Sequence, residues 1–279
     1  MTHDAPPVWL NGHLVSAADA VISVFDHGLT VGDGLFETMR VTGGRPFALR
    51  RHLERLARTA AALELSIPDR SYFELAIAEV IETGGMAEAR LRITVTGGVA
   101  PLGSGRGDGP PNVVVAIAAL PPERPSAAVV IVPWPRNERG ATAGLKTTSY
   151  AENVIALAHA ARHGGDEAIF ANTVGNLCEG SGSNLVVGIA GRLVTPPLSA
   201  GCLAGVTRDL LLLAVPDIAE EDLAVSALRD ADEAFLLSSV RDVQPIDSVD
   251  GAALGASPGP LTRAAMTAFA ELRRTAIDP

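Results

Sequence analysis

One residue stands apart by type alone. Lys146 is the only lysine among 22 basic residues, and all the others are arginine. A bias that puts arginine wherever a generic positive charge suffices makes the surviving lysine a candidate for chemistry. A guanidinium stays protonated and cannot condense with an aldehyde. A lysine amine can, once partly desolvated. Glu179 sits in NLCEGSGSNLVV, an acid in a turn that enters an apolar strand, and taken alone it reads as a solvated turn carboxylate. Arg55 lies mid-helix and taken alone reads as a solvated cation. Gly205-Val206-Thr207 opens a helix, where free backbone N–H groups and a Thr hydroxyl suit a phosphate.

These residues need elements to hold them. Val8 to Val15 reads as a hairpin turning at Asn11-Gly12. Asp26 to Gly34 is rich in turn formers and reads as a loop, followed by a strand from Leu35 to Val41. Arg51 to Leu65 places Leu53, Leu56, Ala60 and Leu63 on one helical face. Tyr72 to Glu82 is a second helix, closed by Gly84-Gly85. Arg90 to Thr96 and Val113 to Leu120 are strand-like, and the stretch between them is so rich in Gly and Pro that it reads as a mobile surface loop or a substrate lid. It is neither a dinucleotide fingerprint nor a P-loop. Ala127 to Pro133 is β-rich. A helix follows from about Tyr150 to His163, then short strands at 167–171, 184–188 and 192–195, and helices at 207–215 and 261–274. The chain therefore reads as α+β in two domains: 1–119, a linker at 120–126, and 127–279.

Composition excludes several classes. The net charge of −10 argues against nucleic acid as a partner, since phosphate binding needs a cationic face. No apolar run approaches the roughly 20 residues of a membrane span. The N-terminus lacks a basic region followed by an apolar one, so no signal peptide is expected. Two cysteines, Cys178 and Cys202, make no disulfide framework, and no metal-ligand pattern occurs. His52, His159 and His163 are read as structural residues on helix surfaces. Together these features predict a cytoplasmic globular protein without metal.

Taken in order, DHGLTVGDGLFET, RHLERL, a lysine before a helix, EGSGSN and TPPLSAGCLAGVTRD resemble the class IV aminotransferase family, the fold-type IV enzymes of pyridoxal 5′-phosphate. The resemblance runs from about Val8 to the C-terminal helix. It implies two α+β domains with the cofactor in the cleft between them, and a homodimer with active sites near the subunit interface. It also implies that Lys146 carries the cofactor as a Schiff base and shuttles the proton. Glu179 would pair with the pyridine nitrogen and keep the ring an electron sink. Arg55, Val206, Thr207 and Ser239 would bind the phosphate.

Within the family, GDGLFET and KTTSYAEN (with Phe36 and Tyr150) look most like aminodeoxychorismate lyases. The D-amino acid transaminases carry Tyr where this chain has Phe36, and an Arg-x-His carboxylate trap that is missing from PLGSGRG. The expectation is therefore a lyase releasing pyruvate and 4-aminobenzoate. The alternatives are a transaminase of D-amino acids or of branched-chain L-amino acids and, more remotely, a non-enzymatic binding protein. Arg106 on the Gly-rich loop and Arg92 on the preceding strand are the candidates for the substrate carboxylates, in that order.

Overall fold

The computed structural model describes residues 6–279, and the backbone forms two compact units. The first comprises Met1–Pro121, Leu145–Tyr150 and Asp278; the second comprises Pro122–Gly144, Ala151–Ile277 and Pro279. The boundary falls between Pro121 and Pro122, inside the Pro-rich 120–126 stretch. One segment departs from the domains expected from sequence. Leu145–Tyr150, which contains Lys146, joins the first unit and not the second. The cause is main-chain bonding: Phe36 N–H donates to the Lys146 carbonyl (3.1 Å), Thr148 N–H donates to the Gly34 carbonyl (2.8 Å), and Leu35 bridges Thr147.

The first unit opens with a hairpin of β1 (Val8–Leu10) and β2 (His13–Val15). Asn11 and Gly12 form its turn, both at positive φ (49° and 101°), as a tight two-residue connection requires. The stretch read as a loop holds a short helix, α1 (His27–Thr30), whose N-cap Asp26 accepts from the Gly28 and Leu29 N–H groups. Then come β3 (Gly34–Thr42), β4 (Arg45–Pro46), α2 (Leu49–Ala62), α3 (Arg70–Gly84), β5 (Ala89–Thr96) and β6 (Asn112–Ala118). The six strands make one antiparallel sheet in the order β2-β1-β6-β5-β3-β4. Alternation sends Leu35, Met39 and Val41 of β3 and Leu91, Ile93 and Val95 of β5 into a core with Leu53 and Leu56 of α2 and Phe73 and Ile77 of α3.

The second unit runs β7 (Ala127–Ile131), α4 (Ala151–Arg162), β8 (Glu167–Ala171), β9 (Leu177–Gly180), β10 (Asn184–Ile189), β11 (Arg192–Thr195), α5 (Val206–Ala214), β12 (Ala219–Glu220), β13 (Glu233–Ser238), β14 (Asp242–Val249), β15 (Ala252–Ala253) and α6 (Pro260–Thr275). Its mixed sheet has the order β12-β11-β10-β13-β14-β7-β8-β9, with β15 on β14. Val129, Ile169, Leu185, Val187, Leu236 and Ile246 anchor its core. Strands β13 and β14 have no counterpart in the sequence reading. EAFLLS is buried along nearly its whole length, so it shows no alternation. Pro245 within β14 argues against a strand there.

The Gly-rich loop between β5 and β6 is held at two points. The ring of buried His27 lies with Nδ1 2.8 Å from Asp33 Oδ2 and Nε2 3.2 Å from the Gly103 carbonyl. Arg106 grips Asp33 with two hydrogen bonds (2.7 and 2.6 Å) and donates to the carbonyls of Leu63 and Glu64, just past the end of α2. Arg106 is therefore a loop anchor in this fold. Both neighbours of the His27 ring are acceptors, so both contacts need both ring nitrogens protonated. The hydrogen bond to Asp33 raises the His27 pKa above its ordinary value. A raised pKa means the latch is fully formed below about pH 6.5 and is lost as pH rises through the raised value. Protection of residues 101–109 against hydrogen exchange, each rate taken relative to its intrinsic rate at that pH, should therefore fall across that window in the wild type. In His27→Gln that protection should be low and flat with pH.

Candidate active site

Strand β3 places Phe36 on the face opposite the core, where β5 contributes Arg92 from the pair Thr38–Arg92. The guanidinium of Arg92 stacks on the Phe36 ring, its carbon 3.8 Å from the centroid. Lys146 Nζ lies 4.3 Å from the same centroid and 6.0 Å from that of Tyr150, whose ring meets Phe36 edge-on at 5.1 Å. The half-buried lysine is thus set over two aromatic rings, one of which it shares with Arg92. Thr148 and Ser149 fix the segment further by donating their hydroxyls to the Gly32 carbonyl (2.9 Å each). Arg92 donates to Thr94 Oγ1 (3.0 Å), and among the described residues no carboxylate pairs with it.

The other face of β3 carries an unexpected charge. Glu37 is fully buried and accepts from Arg55 at both oxygens (Nε to Oε1 and Nη2 to Oε2, 2.7 Å each) and from His52 Nδ1 (2.7 Å). Burial pushes the Glu37 pKa up, but the Arg55 charge and the hydrogen bonds outweigh it, so the carboxyl stays well below the usual range. His52 is buried, contrary to the helix-surface position read from sequence, and burial lowers its pKa. A neutral ring that donates from Nδ1 to Glu37 fits this. Glu37 escaped the sequence reading, although LFETMRV carries the signal: alternation asks for an apolar residue at 37, between Leu35 and Met39.

In the second unit Glu179 lies on β9, a strand end and not only a turn. Oε2 accepts from the Leu203 N–H (2.9 Å), and Oε1 is 3.3 Å from Arg136 Nε. Arg136 also pairs with Glu152, donates to Asn153 Oδ1 (3.0 Å) and stacks on Phe170 at 4.1 Å. Arg136 was not foreseen, having no motif around it. Helix α5 begins at buried Val206 and Thr207, and its N-cap Gly205 brings no side-chain cap. A Cβ at 205 would lie 1.9 Å from Asn184 Oδ1, so only glycine fits this approach to the helix N-terminus. Ser239 sits half-buried in the turn between β13 and β14. Cys178 and Cys202 are buried, and burial raises both thiols, Cys202 to about 12, which makes them poor nucleophiles at neutral pH.

Each unit carries groups of the kind pyridoxal phosphate needs: the first a primary amine and a buried arginine, the second a carboxylate that meets an arginine and a main-chain N–H, and a glycine-opened helix N-terminus. An open groove of about 850 Å³ lies elsewhere, lined by Phe25, Val99, Leu102 and Arg106, and includes none of Phe36, Arg92 or Lys146.

Comparison with known proteins shows the family. The family pattern described as Amino-transferase class IV matches residues 34–249. The branched-chain-amino-acid aminotransferase of Escherichia coli is 30% identical over 292 residues, covering 96% of this chain and 93% of that protein. The aminodeoxychorismate lyase of Bacillus subtilis is 29% identical over 270 residues, covering 92% and 91%. A Mycobacterium tuberculosis structure, described as a hypothetical aminotransferase in its PLP-bound form, superposes with a TM-score of 0.84 at 26% identity, covering 96% of this chain and all of that one. The fold is that of the fold-type IV enzymes, and the chain belongs to the class IV aminotransferase family, which works with pyridoxal 5′-phosphate.

Proposed function

We propose that this chain is a pyridoxal phosphate-dependent lyase that releases pyruvate and 4-aminobenzoate from 4-amino-4-deoxychorismate. The observation that carries the reading is local. GDGLFET and KTTSYAEN, the two stretches most like the lyases, are hydrogen-bonded to each other around Lys146. Identity alone does not choose among relatives, since the transaminase and lyase lie at 30% and 29%.

Arg55, Val206, Thr207 and Ser239 would hold the cofactor phosphate, and Glu179 would hold a proton at the pyridine nitrogen. The bound cofactor supplies the aldehyde that Lys146 condenses with, and a ring that accepts electrons from the carbon beside the amine. Lys146 Nζ, once free, would take the proton from that carbon. The C–O bond at the neighbouring carbon then breaks. The departing enolate would take up at its methylene carbon the proton that Lys146 carries, becoming pyruvate, and the six-membered ring would become aromatic. Arg92, with no carboxylate partner among the described residues, is the better-placed candidate for a substrate carboxylate, because Arg106 is committed to Asp33.

A second reading is supported by the same arginine. The Arg92 cation, which shares the Phe36 ring with Lys146, would equally hold the carboxylate of a branched-chain L-amino acid, with Lys146 moving the proton on to the cofactor instead. The homodimer expected from the resemblance belongs to this proposal too. Exposed Val21, Val24, Leu29 and Leu102 (64–75% accessible) form apolar surface for a second copy to cover, and sedimentation of the pure protein should show twice the chain mass.

Lys146→Ala should fold, retain phosphate-dependent cofactor binding, lose the absorbance of the lysine-bound cofactor and lose turnover. No other lysine can replace it, so wild-type-like rates would sink the reading. Pyruvate release from aminodeoxychorismate, coupled to a dehydrogenase, should proceed without a keto acid, and Arg92→Ala should raise KM by about 10- to 100-fold with cofactor affinity kept. Transfer from L-leucine to 2-oxoglutarate without pyruvate release would move the chain to the branched-chain enzymes. Transfer from D-alanine would move it to the D-amino acid branch.

A further inference from the structure

We infer that Glu37 is a positioning residue for cofactor binding: its buried carboxylate fixes the guanidinium plane of Arg55, and through it the phosphate contact. The inference rests on the reading that Arg55 meets the cofactor phosphate, and it names the residue that makes that contact possible.

A mid-helix arginine has four rotatable side-chain bonds, and a phosphate contact needs one orientation of its planar fork. Glu37 supplies that orientation. It takes Nε and Nη2, the two donors of one guanidinium edge, each at 2.7 Å. A two-point contact fixes the plane and its rotation together, which one hydrogen bond would leave free. Glu37 is in turn held by His52 Nδ1 at 2.7 Å. His52 and Arg55 lie three residues apart on α2, so one helix face presents both donors to one carboxylate. All three side chains are buried, at 0%, 1% and 6% exposure, which removes the water that would let the pair reorient. Glu37 follows Phe36 on β3, and the Phe36 N–H donates to the Lys146 carbonyl, so this network is built on the strand that holds the lysine segment.

A counter-charge alone would not demand this geometry. A carboxylate anywhere near Arg55 would neutralise it, but only one at the end of a Glu-length side chain in the core-facing register of β3 spans both donors. Glu37 does not touch the phosphate; it acts through Arg55.

The test measures the dissociation constant for pyridoxal phosphate and kcat at saturating cofactor, in the full chain, for Glu37→Gln, Glu37→Asp, Arg55→Ala and the Glu37→Gln/Arg55→Ala double variant. Glu37→Gln should weaken cofactor binding about 10- to 100-fold, since its amide NH₂ would face an arginine donor, while kcat of the saturated enzyme stays within a few-fold. Glu37→Asp keeps the charge but withdraws it by one methylene, and should still weaken binding by several-fold. In the Arg55→Ala background, adding Glu37→Gln should cost nothing further. Wild-type affinity in Glu37→Asp would reduce Glu37 to a counter-charge and overturn the inference, as would additive losses in the double variant. Arg55→Ala with unchanged affinity would overturn the phosphate reading itself. Weakened Arg55→Ala beside unchanged Glu37→Gln would overturn the positioning role alone. Should Glu37→Gln fail to fold, as judged by circular dichroism, the Glu37→Asp comparison decides.

Discussion

The pleat of β3 is the constraint on which the first unit's chemistry depends. Successive side chains of a strand point to opposite faces, so Phe36 and Glu37, neighbours in sequence, serve two different sites. Phe36 turns to the face where Arg92 and Lys146 lie against its ring. Glu37 turns into the core, where it meets Arg55 and His52 from α2. The backbone of the same strand binds Lys146 as well, through the Phe36 N–H. A slip of one residue in the pairing of β3 with β5 would exchange the two faces. It would bury the aromatic platform and expel the carboxylate. The eight-residue register between β3 and β5 is what makes the lysine's surroundings reproducible.

The buried ion pair has a cost that its geometry must offset. Removing two charges from water is expensive, and removing one partner of such a pair typically costs about 3–5 kcal/mol because the other is stranded. Here the offset is thorough: both Glu37 oxygens are used, one of them twice, and three hydrogen bonds of 2.7 Å converge on the carboxylate. Apolar residues in place of the whole pair would serve the fold as well, since Leu35, Met39 and Val41 already fill that face. A charge placed where the core would accept a hydrocarbon points to a requirement outside the core. In this unit that requirement is the orientation of Arg55.

How much of this was legible in the sequence follows from how local each signal is. Lys146 announced itself by residue type, and Glu179 with Val206 and Thr207 by compact motifs whose meaning came from the family resemblance. The alternation of LFETMRV and the stripe of Leu53, Leu56 and Ala60 gave the sheet and helix that carry the first site. What stayed hidden was pairing across long separations. Glu37 meets Arg55 across 18 residues, and Arg106 meets Asp33 across 73, so neither partner predicts the other. Leu145–Tyr150 belongs to the first unit through main-chain bonds that no side-chain pattern encodes. The β13–β14 pair lay hidden because a strand buried on both faces loses its alternation.

The arginines complete the argument, because this chain gives nearly every cationic task to one residue type. Structural ones are recognised by forks that close on carboxylates or on main-chain carbonyls: Arg106 on Asp33, Arg208 on Glu220 and the Pro196 carbonyl, Arg192 on Glu221. Arg92 departs from that habit. It sits over an aromatic ring, donates to a neighbouring threonine, and has no carboxylate partner among the described residues. Cation–π stacking orients a guanidinium without neutralising it. That un-neutralised charge is why the proposed function gives Arg92 the substrate carboxylate. The same ring positions the amine of Lys146. An amino acid that offers its amine to the lysine would bring its carboxylate toward the one arginine in the cluster whose charge the fold has not already spent.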